Sequence, residues 1–300
     1  MKQIIKYMTL AFLAVASLCG CEERHVTYSD AEYVMFADTL ATYAVQDTVE
    51  YFSIPVVSTV VTDYDRTYGV EVVDKGSNAI ENLHYHLKSN TITIKAGENR
   101  ADVLVHGYFD NIEPTDSLGF TLQLVMDEKY VMPLYGKQTK AVLMKCCTFD
   151  VNDFTGYCVL TSMFLYNYSA TGVYQRLIYT EKHPTEPNMI ICKNWINDGY
   201  DVTMTFDPSD PLKPIVTMDA DQVASDEGSF FGISYGDDKL LVTNSSLYDS
   251  IFYPCGKYLY IWTEMYVEKL GEPIGTVGHF YNIMEWVSKE EGERLLKEGI

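Results

Sequence analysis

The chain has 300 residues and 47% of them are hydrophobic, so two domains with sizeable cores are expected and intrinsic disorder is disfavoured. Its formal net charge of −20 opposes binding to nucleic acid, because phosphate contacts need clustered Lys and Arg. The same charge opposes adsorption of the protein on an anionic membrane surface.

The N-terminus predicts a lipoprotein signal peptide over residues 1–20. An apolar run over residues 8–18 follows two lysines and is shorter than the roughly 20 apolar residues that cross a membrane. The run ends in Leu18-Cys19-Gly20-Cys21, which resembles a lipobox, with a small residue directly before the cysteine that receives the lipid. We therefore predict lipid attachment at Cys21. An ordinary secretory signal with an incidental cysteine is the alternative.

Two acidic residues, Glu22 and Glu23, come directly after the predicted anchor. Acidic residues in this position resemble the surface-export signal of Bacteroidetes lipoproteins. The resemblance implies attachment to the outer membrane, facing the cell surface, with the periplasmic face as the alternative. Residues 21–30 are interpreted as a tether, so the membrane is a partner only through the lipid anchor.

Short strands with turn signals between them recur over residues 31–145, a pattern that predicts a β-sandwich. The segment Lys88-Ser89-Asn90 lies between two of these strands and predicts a hairpin. Two segments resemble those of Calx-β and related immunoglobulin-like domains: Phe52-Ser53-Ile54-Pro55-Val56 and Ile92-Thr93-Ile94-Lys95-Ala96-Gly97. Such domains follow the lipobox in many Bacteroidetes lipoproteins, and the resemblance implies a spacer. No acidic set matches the calcium sites of true Calx-β domains.

Residues 146–300 predict a second β-rich domain that ends in a short helix. Asn197-Asp198-Gly199 is a hairpin-turn signal, and Ser288-Lys289-Glu290-Glu291 is a capping box that begins the helix. This half resembles the C-terminal domain of a Bacteroidetes lipoprotein family from which no activity can be inferred. The predicted fold class is therefore all-β, with two β-sandwich-like domains and a short C-terminal helix.

The predicted strand over residues 257–267 places its successive side chains on opposite faces. One face is aliphatic and suits a core: Leu259, Ile261, Thr263, Met265 and Val267. The other face is an aromatic row with one carboxylate: Tyr258, Tyr260, Trp262, Glu264 and Tyr266. The row could stack sugar rings while the carboxylate binds hydroxyl groups. The alternative is a strand that is buried on both faces.

Two further aromatic features are candidates for ligand contact. Trp195 lies just before the turn at residues 197–199, where it either contacts a ligand at a loop rim or anchors the loop in the core. The second feature is a predicted strand face composed of Ser162, Phe164, Tyr166 and Tyr168.

The sequence favours neither a metal site nor reactive cysteines. His84 and His86 share a predicted strand face, and an acidic cluster comprises Asp219, Asp221, Asp226 and Glu227, but solvation explains both more simply. No C-x-x-C pair exists, so we expect no metal, no cofactor and buried free thiols. The disulfide state is left open for Cys146, Cys147, Cys158, Cys192 and Cys255.

The sequence contains neither the nucleophile elbow of serine hydrolases, nor the zinc-binding motif of metalloproteases, nor a phosphate-binding loop. We therefore predict that the protein is not an enzyme. The favoured function is that of a surface-anchored, non-catalytic binding lipoprotein that recognises a glycan in nutrient capture. The alternative is a structural or adhesive envelope protein, associated with fimbriae or with another envelope protein as its partner. An undetected hydrolase is a third hypothesis.

Overall fold

The computed structural model describes residues 31–170 and 172–299. The predicted signal peptide, the lipid-attachment residue Cys21 and the tether at 21–30 lie outside the described residues. Within the described ranges the chain forms nineteen β-strands and three short α-helices. The prediction of an all-β chain with sandwich-like units and a short C-terminal helix is confirmed. No helix in these ranges is long and apolar enough to cross a membrane.

The N-terminal strands form two sheets that face each other. The first has four antiparallel strands in the order β1 (Val34–Phe36), β3 (Phe52–Ser58), β7 (Arg100–Gly107) and β5 (Tyr85–Leu87). The second has five strands in the order β2 (Leu40–Val45), β9 (Gln138–Lys145), β8 (Leu118–Val125), β4 (Arg66–Val73) and β6 (Thr91–Ile94). In the second sheet β2 runs parallel to β9, and the other pairs are antiparallel.

Alternating apolar residues of both sheets meet between them, as the burial of Ile54, Val105 and Leu122 shows. The ring of Tyr85 stacks on that of Phe120 across the gap, with centroids 3.9 Å apart. The predicted hairpin at residues 88–90 is wrong, because β5 and β6 belong to opposite sheets. A local turn signal cannot specify which sheet the next strand joins, since either choice buries its apolar face in the same core.

The C-terminal strands form one antiparallel sheet that closes on itself. Eight strands complete the ring in this order: β10 (Gly156–Ser162), β11 (Gln175–Lys182), β12 (Met189–Lys193), β13 (Val202–Asp207), β14 (Ile215–Met218), β17 (Ile251–Tyr253), β18 (Tyr258–Lys269) and β19 (Glu272–Trp286). The ring closes because β19 pairs with both β18 and β10. Two more strands, β15 (Gln222–Ser225) and β16 (Leu240–Asn244), extend the sheet from the far half of β18.

Aromatic side chains fill the interior of this ring, as expected for eight strands. Phe154 and Phe252 lie 4.8 and 4.9 Å from Phe206, measured between ring centroids, and all three are almost completely buried. Buried residues of the chain thus form two clusters, one from residues 34–143 and one from residues 151–284. We retain residues 31–145 and 146–300 as the proposed domains.

The predicted strand face at residues 162–168 is wrong. Strand β10 ends at Ser162, and helix α1 (Met163–Tyr168) follows, with the Ser162 hydroxyl accepting a hydrogen bond from the Leu165 backbone N–H at 3.5 Å. Consecutive residues Phe164 and Leu165 are both buried, which suits a helix and not a half-buried strand. The serine acts as an N-cap, a role that a period-2 pattern does not show.

The cysteines depart in part from the expectation of free thiols. Cys147 and Cys255 form a disulfide that joins the start of the second domain to the segment between β17 and β18. Cys146, Cys158 and Cys192 are free and buried, as expected. Burial raises the pKa of the Cys146 thiol to about 11 and that of Cys158 well above its usual range, so both stay protonated and unreactive.

Replacing Cys147 and Cys255 together by Ser should lower the free energy of unfolding by about 2–4 kcal/mol. The disulfide restricts the unfolded chain, because the two residues are 108 positions apart in sequence. Urea unfolding of the oxidised protein and of the variant measures the difference. Reducing agent should lower the midpoint of the original protein and leave that of the variant unchanged. Equal midpoints for the two oxidised proteins would contradict the prediction.

Helix α2 (Gly228–Phe231) precedes β16, and helix α3 (Lys289–Glu298) ends the described chain. The Ser288 hydroxyl accepts a hydrogen bond from the Glu291 N–H at 3.2 Å, as the capping box predicts. Gly292 permits close packing of α3, because a Cβ there would lie 2.2 Å from Cγ of Tyr157 on the outer face of β10. The helix therefore covers part of the outer face of the closed sheet.

Candidate ligand-binding site

Strand β18 has the alternation that the sequence predicts. Its aliphatic side chains point into the closed sheet, and Leu259, Ile261 and Met265 are completely buried. Its opposite face is half-buried at Tyr258, Tyr260, Trp262 and Glu264. These four residues therefore lie together on the outer surface, at least partly accessible to a ligand.

The alternation ends at Tyr266, which is only 8% exposed. The pairing of β18 with β19 shifts register between Met265 and Tyr266, and such a bulge re-aims a side chain. The Tyr266 hydroxyl donates a hydrogen bond to the carboxylate of Asp221. Tyr266 therefore lies apart from the accessible aromatic residues of the strand.

Neighbouring elements add three tyrosines to this outer face. We name the whole set the aromatic ridge: Tyr248, Tyr253, Tyr258, Tyr260, Trp262 and Tyr281. At one end the ring of Tyr253 on β17 stacks on that of Tyr258, with centroids 4.7 Å apart. The Tyr258 ring in turn lies 5.4 Å from that of Tyr260.

The ridge continues across β19 to the other end. The ring of Tyr281 stacks on that of Tyr260 at 5.4 Å and lies 5.1 Å from that of Trp262, its direct partner in the pairing of the two strands. Tyr248, in the loop before β17, lies 4.2 Å from Trp262 between ring centroids. The six rings thus form one continuous contact surface over three strands and a loop.

The arrangement of the rings decides what the ridge presents to solvent. The rings of Tyr253 and Tyr258, and again those of Tyr260 and Tyr281, are stacked in pairs, so each pair shares part of its ring surface. The two terminal rings are the most accessible, with Tyr253 36% and Tyr248 51% exposed. The ridge therefore offers accessible ring surface at both ends.

Backbone and side-chain hydrogen bonds hold the loop that carries Tyr248. The Trp262 N–H donates to the Ser250 hydroxyl at 2.9 Å, and the Trp262 carbonyl accepts from the Ser245 N–H at 2.9 Å. The Ser245 hydroxyl is in turn 2.9 Å from Nδ1 of His279 on β19. The loop is thereby attached to both long strands, which restricts the position of the terminal ring.

Two carboxylates flank the ridge along its long axis. Glu285 is paired with Tyr258 across the β18–β19 ladder, and Glu264 follows Trp262 on the same face. Glu264 accepts a hydrogen bond from the Thr276 hydroxyl at 3.1 Å. Neither carboxylate forms an ion pair with any described residue, and the nearby Lys257 ammonium is paired with Asp153 at 2.6 Å. The surroundings of the ridge are therefore acidic.

Raising the pH from about 10 to about 12 should lower the free energy of unfolding. Burial, with Tyr260 as a secondary cause, raises the pKa of Tyr281 to about 12, and burial does the same for Tyr85. The folded state favours the protonated phenols, so this stabilisation is complete below about pH 10 and is lost as the pH rises through the folded-state pKa. Urea unfolding at several pH values measures the loss. The Tyr281→Phe variant, which cannot ionise there, should lose less stability; an equal loss in both proteins would contradict the assignment.

Trp195 does not join the ridge. It is completely buried inside the closed sheet, and its backbone N–H donates to the Tyr200 carbonyl at 3.0 Å. In this position it anchors the loop between β12 and β13, the second of the two roles that the sequence left open. Gly199 in that loop has a φ of +87°, the left-handed conformation that the turn signal requires.

The carboxylates of the acidic cluster at residues 219–227 accept hydrogen bonds that stabilise the local structure. Asp226 accepts a hydrogen bond from the Ser229 N–H at 2.7 Å, and the buried Glu227 accepts from the backbone N–H groups of Tyr235 and Gly236. Over residues 31–170 and 172–299, no group of three or more His, Cys, Asp or Glu side chains is arranged to hold a metal ion. The cluster is therefore a set of loop-stabilising carboxylates.

The prediction that His84 and His86 share a strand face is wrong. His84 lies before β5, and its Nδ1 accepts a hydrogen bond from the Ile80 N–H at 2.9 Å. His86 lies within β5 and faces His106 of the neighbouring strand. An i, i+2 spacing places two side chains on one face only while both residues belong to the strand.

Residues 134–298 match the family described as a domain of unknown function, DUF4984. The match covers more than half of the chain. The chain belongs to the DUF4984 family. No curated protein matches this DUF4984 member.

Solved structures match this chain at low identity and low TM-score. The DUF4984 chain is similar to a protein of unknown function from Bacteroides ovatus, with a TM-score of 0.34, 12% identity, and coverage of 84% of this chain and 89% of that one. It is similar to the apo form of the Calx CBD1 domain, with a TM-score of 0.32, 12% identity, and coverage of 39% and 98%. An auxiliary nutrient binding protein from Bacteroides thetaiotaomicron VPI-5482 has a TM-score of 0.30, 15% identity, and coverage of 83% and 89%.

Proposed function

We propose that this DUF4984 protein is a non-catalytic binding protein that recognises a neutral glycan on the aromatic ridge. The observation that carries the proposal is the ridge itself, six contiguous rings on a rigid sheet with accessible rings at both ends.

The proposal includes lipid attachment at Cys21 and a place on the outer membrane, where the protein would take part in nutrient capture. Loss of fatty-acid labelling in a Cys21→Ser variant is the expected result for the anchor.

The ridge offers the kinds of contact that a sugar polymer needs. The C–H faces of a pyranose ring pack on aromatic carbon, and its hydroxyl groups need hydrogen-bond partners. Tyrosine supplies both kinds of contact at a small cost in side-chain entropy, which is why it is frequent in binding surfaces. Tyr253 and Tyr248 offer ring surface at the two ends, and the tyrosine hydroxyls between them offer donors and acceptors.

The flanking charges favour a neutral glycan over an acidic one. Glu264 and Glu285 can accept hydrogen bonds from sugar hydroxyls, and bonds to an ionised group are stronger than neutral ones. A uronate or a sulfated sugar would place like charges beside these carboxylates, whereas Lys257 is already paired with Asp153. Charge therefore selects against acidic polysaccharides.

Tryptophan fluorescence tests the proposal directly, because the three tryptophans occupy distinct environments. Trp262 lies on the ridge, Trp195 is completely buried, and the Trp286 N–H donates to the Thr180 hydroxyl at 2.8 Å. Titration with neutral polysaccharides should give a saturable change that a Trp262→Phe variant loses and a Trp286→Phe variant keeps. Polygalacturonate should give no change.

The absence of a response to any neutral polysaccharide would overturn the proposal. That outcome would favour the structural or adhesive alternative, in which an envelope protein is the partner. A response that persists in Trp262→Phe would place the ligand elsewhere on the molecule.

A further inference from the structure

We propose that His86 and His106, on the N-terminal sandwich, bind a divalent transition-metal ion such as Zn²⁺. This site lies on the other domain from the aromatic ridge and does not depend on the proposed glycan function. The two side chains come from different strands and lie 20 positions apart in the sequence.

The geometry brings the two imidazoles together on one face of the first sheet. His86 of β5 and His106 of β7 are direct partners in the antiparallel ladder, and their ring centroids are 4.9 Å apart. Both side chains are half-buried on the face opposite the core. Paired strands hold the separation of the rings, so little ordering is needed before an ion binds between them.

A backbone contact sets the tautomer of His106. Its Nδ1 lies 2.7 Å from the Glu50 carbonyl oxygen, which can only accept a hydrogen bond, so Nδ1 carries the proton. In the neutral ring the lone pair is therefore on Nε2, one of the two nitrogens through which histidine binds metals. A carbonyl on the other ring nitrogen is the usual support of a metal-binding imidazole.

His86 supplies the second, independent observation. Its Nδ1 is buried and has no hydrogen-bond partner among the described residues. A buried polar atom without a partner costs free energy, and a bound ion or water molecule commonly removes that cost in folded proteins. We therefore assign Nδ1 of His86 and Nε2 of His106 as the two ligands, since an ion on Nδ1 would give this atom its missing partner.

The surroundings restrict movement of the two rings. Tyr108 lies 5.0 Å from His106 and 5.5 Å from His86, and Tyr51 lies 5.9 and 6.2 Å from them, measured between ring centroids. The Lys88 ammonium is 4.6 Å from the Tyr51 ring centroid, in a cation–π contact.

Imidazole ligands suit Zn²⁺, Cu²⁺ and Ni²⁺, whereas Ca²⁺ and Mg²⁺ prefer oxygen. With two protein ligands, water would complete the coordination.

Calorimetric titration of the protein with Zn²⁺ tests this site. We expect one ion to bind per chain, and each of the variants His86→Gln and His106→Gln to bind it at least about tenfold more weakly. His84→Gln is the matched control, because His84 is close in sequence but is bonded to the Ile80 N–H, and it should keep the original affinity.

Nitrogen NMR of the unmodified protein provides a test that does not depend on the folding of a variant. Zn²⁺ should shift the Nε2 resonance of His106 and leave its Nδ1 bonded to the Glu50 carbonyl. The inference is overturned by a protein that does not bind Zn²⁺, by an equal loss of affinity in His84→Gln, or by NMR shifts confined to other histidines.

Discussion

Replacing Tyr253 and Trp262 together by Ala is expected to weaken glycan binding by about 30-fold or more, which corresponds to about 2 kcal/mol. The change removes the exposed ring at one end of the ridge and the indole that connects Tyr281 with Tyr248. Aromatic residues in contact surfaces account for a large share of binding energy, and stacked neighbours cannot replace a missing ring. Calorimetry with the glycan that gives the strongest fluorescence response measures the loss.

The control for this experiment is Tyr64→Ala. Tyr64 is 56% exposed and lies on the N-terminal sandwich, away from the ridge, so its removal should leave the affinity unchanged. The circular dichroism of both variants should match that of the original protein. An unchanged affinity in the double variant would show that the ridge is not the binding site.

Replacing Phe252 by Ala is expected to lower the free energy of unfolding by about 3–5 kcal/mol. Phe252 is completely buried, and its ring lies 4.9 Å from Phe206 and 5.6 Å from Phe154, measured between centroids. Its truncation removes apolar contacts on several sides and leaves a cavity in a ring of strands that cannot collapse freely. Urea unfolding followed by circular dichroism measures the effect.

The adjacent residue on the same strand offers a matched comparison. Tyr253 points outward from β17, so Tyr253→Ala should change the free energy of unfolding by less than about 1 kcal/mol while weakening glycan binding. The pair of variants therefore separates the inner face of the strand from the outer one. A loss of stability in Phe252→Ala as small as that in Tyr253→Ala would mean that the closed sheet has no tightly packed interior.

Strand β18 shows how much of the site could be predicted. Its period-2 pattern identified the buried face and the outer residues as far as Glu264, because a strand beside an apolar core must alternate, but it placed Tyr266 wrongly on the outer face. Tyr281 could also have been found by pairing the two predicted strands around Leu270 and Gly271. Tyr248 and Tyr253 could not, since a loop and a three-residue strand have no periodic pattern.

Contacts between distant segments account for three of the departures from prediction. Cys147 and Cys255 are 108 residues apart, and no spacing rule connects them. His86 meets His106, and not His84, because β5 pairs with β7. Trp195 was a candidate for ligand contact, and only the closed sheet shows that its indole lies inside.

The sequence by itself determined the fold class, the helix cap at Ser288 and the two faces of β18, because these depend on local propensity and on alternation within one segment. The tertiary structure decided which strands pair, how the C-terminal sheet closes and which six rings form the ridge. The physical reason is that any apolar strand face can be buried against several alternative partners, and only the packing of the whole chain selects one of them.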